Sequence, residues 1–145
     1  MKTAAFRGIL FTVIILTLVT CVSFPKTRFT IEELSGTQWV NNEYPESSSS
    51  HEAQITTDGK VRFYSSFFPN EQGWIGKLTI TESWYDKKGD LWFKGTWKME
   101  DTTPIDYWLS KISKSGTVWE TCSSGAGYPV ELNPVEYNNF IYYRQ

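Results

Sequence analysis

Histidine, serine and paired acidic residues are the side chains in this sequence whose types could support acid–base or nucleophilic chemistry. The only histidine, His51, follows the serine run 47–50. A metal site needs several ligands at suitable spacing and a catalytic triad needs a firmly held base, so one histidine beside a serine run indicates neither. The acidic pairs at 32–33 and 100–101 fall at the ends of predicted elements, where charges are usually solvated. The sequence therefore predicts no catalytic residue, no metal, no cofactor and no enzyme activity.

The two cysteines, Cys21 and Cys122, are the other reactive side chains. Cys21 closes an apolar stretch whose core, 9–19, follows the positive charges of Lys2 and Arg7. A membrane-spanning helix needs about 20 apolar residues, and this stretch is shorter. Its length and flanks are typical of a signal peptide, so we predict a signal peptide over 1–20, with an uncleaved anchor helix as the alternative.

The residues Leu18-Val19-Thr20-Cys21 resemble the lipobox of bacterial lipoproteins. The resemblance implies that Cys21 becomes a lipid-bearing N-terminus, followed by a tether and a short helical turn over 21–33. A non-Asp residue after the cysteine, here Val22, is compatible with outer-membrane sorting in that class. The expected location is therefore the bacterial cell envelope, with the membrane contacted through the lipid. Cys122 would then have no partner within the chain, and we expect it to be a packed thiol.

Length and charge set the broad class of the protein. The chain has 145 residues, of which 17% are aromatic, and it carries a formal net charge of -2. This length suits one domain, and the aromatic content supplies a core. A product that starts at Cys21 would carry 12 basic and 16 acidic residues, hence a net charge of -4. Because no basic block occurs, we predict no nucleic-acid partner. We also expect the protein to be a monomer.

From residue 38 onward the pattern predicts strand after strand. The sequence Asp58-Gly59 is a strong hairpin signal, and Gly89 and Gly116 mark two further tight turns. "TIEELSG" before the first strand predicts one helical turn, with Thr30 and Glu33 as a capping box. Eight strands follow from this pattern, at 38–44, 51–57, 60–68, 74–86, 90–100, 105–113, 117–122 and 138–145.

Alternation within the strands predicts how the sheet folds. In 90–100, one face carries Leu91, Phe93, Gly95, Trp97 and Met99, and we expect it to face the core. A flat meander of eight strands would expose two edges and one apolar side, and closure into a barrel removes both problems. The predicted fold is therefore all-β, a single eight-stranded antiparallel up-and-down barrel over 34–145.

The segment "LSGTQWVNNEY", the "TTDGKVRFY" hairpin and the final "YYRQ" resemble the lipocalin or calycin superfamily, in particular its small bacterial lipoproteins. The resemblance covers about 34–145. It implies that Trp39 forms the floor of the barrel and that Arg144 packs across it as a structural pair. An avidin-like eight-stranded barrel fits the same pattern.

The inward-facing side chains predicted to line a cavity are Phe63, Leu78, Ile80, Phe93 and Trp97. The expected function is non-catalytic binding of a small apolar or amphipathic ligand inside the barrel. The alternative is a surface interaction protein with a filled barrel that contacts a polypeptide or a glycan through its loops. A cavity of about 300 Å³ or more would favour the first function. Trp74, Trp84 and Trp92 are candidates for an outer binding platform, and the loops 44–52 and 122–134 for partner contacts.

Overall fold

The chain folds into a closed barrel of eight antiparallel strands, seen in a computed structural model. The structure describes residues 28–65, 67, 73–99, 104–132 and 138–145. The predicted signal peptide, Cys21 and most of the tether lie outside these residues. The strands are β1 (Gln38–Val40), β2 (Glu52–Ile55), β3 (Lys60–Tyr64), β4 (Trp74–Tyr85), β5 (Leu91–Met99), β6 (Asp106–Ile112), β7 (Val118–Ser124) and β8 (Asn138–Arg144).

Pairing between the first and last strands closes the barrel. Trp39 of β1 pairs with Arg144 of β8, and Val40 pairs with Tyr143. Every other strand pairs with its neighbours in sequence, as expected for an up-and-down meander in which each connection is short. The prediction of a single all-β, eight-stranded antiparallel barrel is confirmed.

The core follows from alternation along the strands. In β5 the side chains at 91, 93, 95 and 97 are buried, while those between them are half-buried or exposed. The inward face predicted for this strand is therefore confirmed. The largest fully buried side chains are aromatic, among them Trp39, Trp119 and Tyr142, so indole and phenol rings fill most of the interior.

One end of the barrel, here called the closed end, is covered by the segment before β1. A 3₁₀ helix, Ile31–Leu34, begins where the Glu33 carboxylate accepts the N–H of Thr30 at 2.7 Å, so the glutamate arm of the predicted capping box is formed. Leu34 at the end of this helix and Phe29 just before it are both buried. Gly116 has a φ of +73°, and a Cβ there would overlap the Phe29 ring. Both the backbone conformation and the lack of space therefore require glycine at this position.

Two strands, β1 and β3, end four residues earlier than the sequence predicted. β1 ends at Val40 because the Asn41 side chain turns back and its Oδ1 accepts the N–H of Glu43 at 2.9 Å. β3 ends at Tyr64 because the Ser65 hydroxyl accepts the N–H of Phe67 at 3.2 Å. In both cases a short polar side chain offers the backbone a local partner and competes with the strand ladder. β7, in contrast, continues two residues beyond the predicted end.

The segment after β7 lies on the outside of the barrel in its described part, 125–132. Cys122 is buried beneath it and its thiol contacts the Glu131 carbonyl oxygen at 3.3 Å. Tyr128 packs edge-on against Tyr107, with ring centroids 5.1 Å apart, and its hydroxyl lies 3.0 Å from that of Thr81. This part of the predicted loop therefore covers the outer wall. Cys122 is packed, as expected.

Candidate functional site: an aromatic cup at the mouth

The end of the barrel opposite the 3₁₀ helix, here called the mouth, holds a concave cavity that we call the cup. At the mouth the chain connects β1 to β2, β3 to β4, β5 to β6 and β7 to β8. The cup has a volume of about 90 Å³, against the roughly 300 Å³ typical of a small-molecule pocket. Most of the interior is therefore filled, which does not favour a ligand enclosed within the barrel, and the space that remains is a shallow site open to solvent.

Six aromatic rings from five strands form the wall of the cup. They are those of Phe63, Trp74, Trp97, Trp108, Phe140 and Tyr142. Trp97 and Trp108 are stacked with centroids 6.0 Å apart, and Phe63 lies 5.7 Å from Trp97. Each of these residues lies at an inward position of its strand, and the strand pairing of the closed barrel brings the rings together.

Trp97 is fixed by two contacts with the neighbouring strands. Its Nε1–H donates to the Val61 carbonyl oxygen at 3.2 Å. Its ring lies so close to the backbone of β4 that a Cβ at Gly76 would overlap it. Gly76 therefore lets the indole lie flat against the wall, and the ring is held in place before any ligand arrives.

The polar groups of the cup are one carboxylate and three hydroxyls, from Asp106, Ser50, Thr121 and Ser123. Asp106 is the first residue of β6 and pairs with Trp97 of β5. Burial raises the pKa of the Asp106 carboxyl above its ordinary value, because it disfavours the charged form. Deeper in the barrel, the Thr121 hydroxyl lies 2.7 Å from that of Ser110.

Two indole nitrogens near the cup lack partners. Within the described residues, Nε1 of Trp108 and Nε1 of Trp119 are buried and make no hydrogen bond. Trp108 lines the cup, whereas Trp119 does not. The Tyr142 hydroxyl, in contrast, donates to the Ser50 carbonyl oxygen at 3.2 Å, and burial raises its pKa. Sequence reasoning missed Asp106, Trp108 and Tyr142, although their inward strand positions could have identified them.

The five residues predicted to line a cavity lie in three places. Phe63 and Trp97 are in the cup. Phe93 is fully buried in the core. Leu78 and Ile80 line a separate groove of about 150 Å³ beside the 3₁₀ helix, because the part of β4 beyond Lys77 has no β3 partner. Ligand binding by these residues stays a prediction.

The predicted floor pair, Trp39 and Arg144, lies at the closed end. The two residues are direct partners across β1 and β8. The Arg144 guanidinium carbon lies 5.5 Å from the centroid of the Phe29 ring. The fully buried Trp39 donates its Nε1–H to the Thr37 hydroxyl at 2.7 Å. Phe29, which the sequence did not single out, therefore lies beneath the arginine.

The outer tryptophans differ in what they present to solvent. Trp84 and Trp92 stack across β4 and β5 with centroids 6.0 Å apart, and Lys94 and Lys111 lie over their faces. Trp74, at the mouth, is 56% exposed. Of the three, Trp74 is the one whose ring is mostly accessible.

The remaining candidates for chemistry form no site in the described part of the chain. His51 is half-buried rather than solvated, because its Nδ1–H donates to the Tyr44 carbonyl oxygen at 2.9 Å. No group of three or more His, Cys, Asp or Glu side chains among the described residues is arranged to hold a metal ion. Across the same residues, no helix has the length and apolar character needed to cross a membrane.

The chain matches no protein-family model, no curated protein and no solved structure. The strand order and closure are consistent with a lipocalin-like fold, and the likeness is one of architecture.

Proposed function

We propose that the protein is a non-catalytic binding protein whose cup receives one end of a small amphipathic molecule. The observation that carries the proposal is the cup itself: six aromatic rings around about 90 Å³ of open space, with polar groups among them. Sites for small ligands are typically concave and apolar with a few placed polar groups. A volume of this size suits an end group rather than a whole lipid.

Binding is favoured over catalysis by the ionisable groups of the cup. In its described lining these are the Asp106 carboxylate and the Tyr142 phenol, whose hydroxyl is held by Ser50. General acid–base catalysis needs a donor and an acceptor matched to the working pH. The raised pKa of Tyr142 keeps this phenol protonated at neutral pH, so the arrangement suits holding a ligand.

Export and lipid anchoring form part of the proposal, and the placement of Arg28 indicates which end of the barrel such an anchor would hold. Arg28 stacks on the Tyr85 ring at 4.0 Å, at the closed end of the barrel. Six residues lie between Cys21 and Arg28, so the chain that joins these two residues reaches at most about 25 Å. A lipid on Cys21 would hold the closed end towards the membrane and leave the mouth facing away from it.

The binding proposal is tested by filling the cup. Ser123→Phe places a ring in the cup, and Ser115→Phe makes the same change in an exposed hairpin at the closed end. We expect Ser115→Phe and the unmodified protein to bind members of a panel of cationic, neutral and anionic amphiphiles, measured by tryptophan fluorescence. Ser123→Phe should abolish that binding. If no member of the panel binds the unmodified protein, the proposal fails.

A second candidate function, contact with a polypeptide or glycan at the mouth, is favoured by two exposed rings. Trp74 is 56% exposed and Phe67 is 61% exposed. Ser123→Phe separates the two functions, because it blocks the cup and leaves accessible the Phe67 ring, which does not line the cup. A partner that contacts Phe67 would still bind this variant.

The anchoring proposal has its own measurement. Mass spectrometry of the mature N-terminus should show an acylated Cys21, and Cys21→Ser should release the protein from the membrane fraction. An unmodified N-terminus at another position would overturn lipid anchoring and leave the binding proposal standing.

A further inference from the structure

The carboxylate of Asp106 carries a charge in the cup that nothing nearby neutralises. Among the described residues, Asp106 makes no ion pair, and neither Lys, Arg nor His lines the cup. Burial alone raises its pKa. A partly desolvated carboxylate without a partner costs free energy, which a cation in the cup would reduce.

The indole N–H of Trp108 is a second unsatisfied group in the same cavity. Trp108 is 4% exposed, and its Nε1 has no acceptor in the described part of the chain. The neighbouring Trp97 shows the usual arrangement, since its Nε1–H is bonded to a carbonyl oxygen. Buried donors are normally paired. The Nε1 of Trp108 lies within the wall of the cup, so a ligand oxygen would reach it after a shift of the ring.

The aromatic wall also favours positive charge. The face of an aromatic ring attracts cations, with tryptophan the strongest of the three ring types. Three of the six rings in the cup are tryptophans: Trp74, Trp97 and Trp108.

The segments that connect the strands at the mouth are acidic, and this also favours a cation. In the sequence, the connections 41–51, 65–73, 100–105 and 125–137 contain no Lys or Arg. They contain seven acidic residues: Glu43, Glu46, Glu71, Glu100, Asp101, Glu131 and Glu136. Of those described, Glu43, Glu46 and Glu131 are exposed. Charge of one sign around an entrance raises the local concentration of ions of the other sign.

We propose that the cup selects a small organic ammonium ion that carries an oxygen acceptor close to its nitrogen. This inference rests on the proposed binding function. The ammonium group lies among the rings with Asp106 as its counter-ion, and the oxygen accepts the N–H of Trp108.

Other ligand classes satisfy fewer of these groups. An anion would meet a carboxylate and an acidic entrance. A neutral apolar ligand would leave Asp106 without a counter-ion and Trp108 without an acceptor. A hard metal ion such as Ca²⁺ needs about six to eight oxygen ligands, and aromatic rings supply most of the wall here.

The test compares choline with its uncharged isostere, 3,3-dimethylbutan-1-ol, which has the same shape and hydroxyl. The full chain is held in a maltoside detergent, because a detergent with a choline head group would compete. Calorimetry should show that choline binds about tenfold or more tightly than the isostere. Equal binding of the isostere would overturn the ammonium inference and leave the binding function intact, whereas failure to bind any amphiphile would remove both.

Two pairs of variants assign the contacts. Asp106→Asn should weaken choline binding about tenfold, while Asp58→Asn removes the same charge at the closed end and should leave binding unchanged. Trp108→Phe should weaken binding about threefold. Trp119→Phe is its matched control, because Trp119 also has an unpaired Nε1 but does not line the cup.

Nuclear magnetic resonance locates the ligand independently of affinity. The chain has seven tryptophans and therefore seven indole N–H signals, of which the Trp108 signal is identified by its loss in Trp108→Phe. Choline should shift that signal downfield as a hydrogen bond forms. An unmoved Trp108 signal at saturating choline would overturn the proposed acceptor contact.

The calorimetric measurement of affinity also distinguishes two sources of the ammonium group. Glycerophosphocholine carries the lipid head group in soluble form, and its phosphate would meet the acidic mouth. We expect it to bind more weakly than choline, which supports a free ammonium ion as the ligand. Tighter binding of glycerophosphocholine would overturn the free ion in favour of a phospholipid head group.

Discussion

The two ends of the barrel differ in how their polar groups are balanced, although Trp119, which packs on Trp39 at the closed end, also has a buried indole nitrogen without a partner among the described residues. At the closed end Trp39 donates to Thr37, Thr37 donates to the Leu34 carbonyl oxygen, and the Tyr85 hydroxyl donates to the Phe29 carbonyl oxygen. At the mouth Trp108 has an unpaired N–H, and Asp106 has no ion-pair partner among the described residues. Local rules of satisfaction are usually broken at functional sites. The unneutralised Asp106 is therefore the difference on which the proposed ligand contact at the mouth rests.

Phe29→Ala and Phe67→Ala make the same change at the two ends and should have the largest difference in effect. Phe29 is fully buried, so its loss leaves a cavity and should lower the free energy of unfolding by about 3–5 kcal/mol. Phe67 is 61% exposed, and its loss should cost about 1 kcal/mol or less. Urea unfolding of both variants measures the two costs. Equal losses would show that the closed end does not dominate stability.

Thr37→Val would create at the closed end the kind of unpaired indole that the mouth already contains. The Thr37 hydroxyl accepts the Trp39 N–H at 2.7 Å, and its removal leaves a buried donor without a partner. We expect the free energy of unfolding to fall by about 2 kcal/mol. Trp39→Phe alone and together with Thr37→Val completes a double-mutant cycle. A coupling energy near zero would mean that this hydrogen bond contributes little to the closed end.

The sequence was sufficient to predict the order of the strands and the tight turns between them. Alternation in 90–100 and the turns at Gly59, Gly89 and Gly116 have local causes, because the side chains of a strand alternate and tight turns need a positive φ. The predicted ends of β1 and β3, at 44 and 68, were wrong, since the observed ends at Val40 and Tyr64 depend on whether Asn41 and Ser65 bond to nearby backbone. Hydrophobic alternation does not carry that information.

The cup was harder to predict because it depends on register between strands distant in sequence. Phe63 and Trp97 were identified by their inward positions, but Leu78 and Ile80 lie in another groove because β3 begins only at Lys60 and leaves that part of β4 without a β3 partner. The cup combines Asp106 of β6 with Tyr142 of β8. Such a combination follows from barrel closure rather than from any local motif.

The charges of two aspartates, one at each end of the barrel, should change the free energy of unfolding in opposite directions as the pH rises. This is the smallest of the expected effects. At the closed end, hydrogen bonds from Trp92 Nε1 and from backbone N–H groups lower the pKa of Asp86 below 3.8. Its stabilisation is present above the unfolded pKa and is lost as the pH falls through the folded value. At the mouth, burial raises the pKa of Asp106 above 3.8, so this carboxylate lowers stability as the pH rises through its folded value. Asp86→Asn should therefore reduce the free energy of unfolding at pH 7, and Asp106→Asn should increase it. Both differences should shrink in acid, and a loss of stability in both variants at pH 7 would mean that the two ends do not differ in this respect.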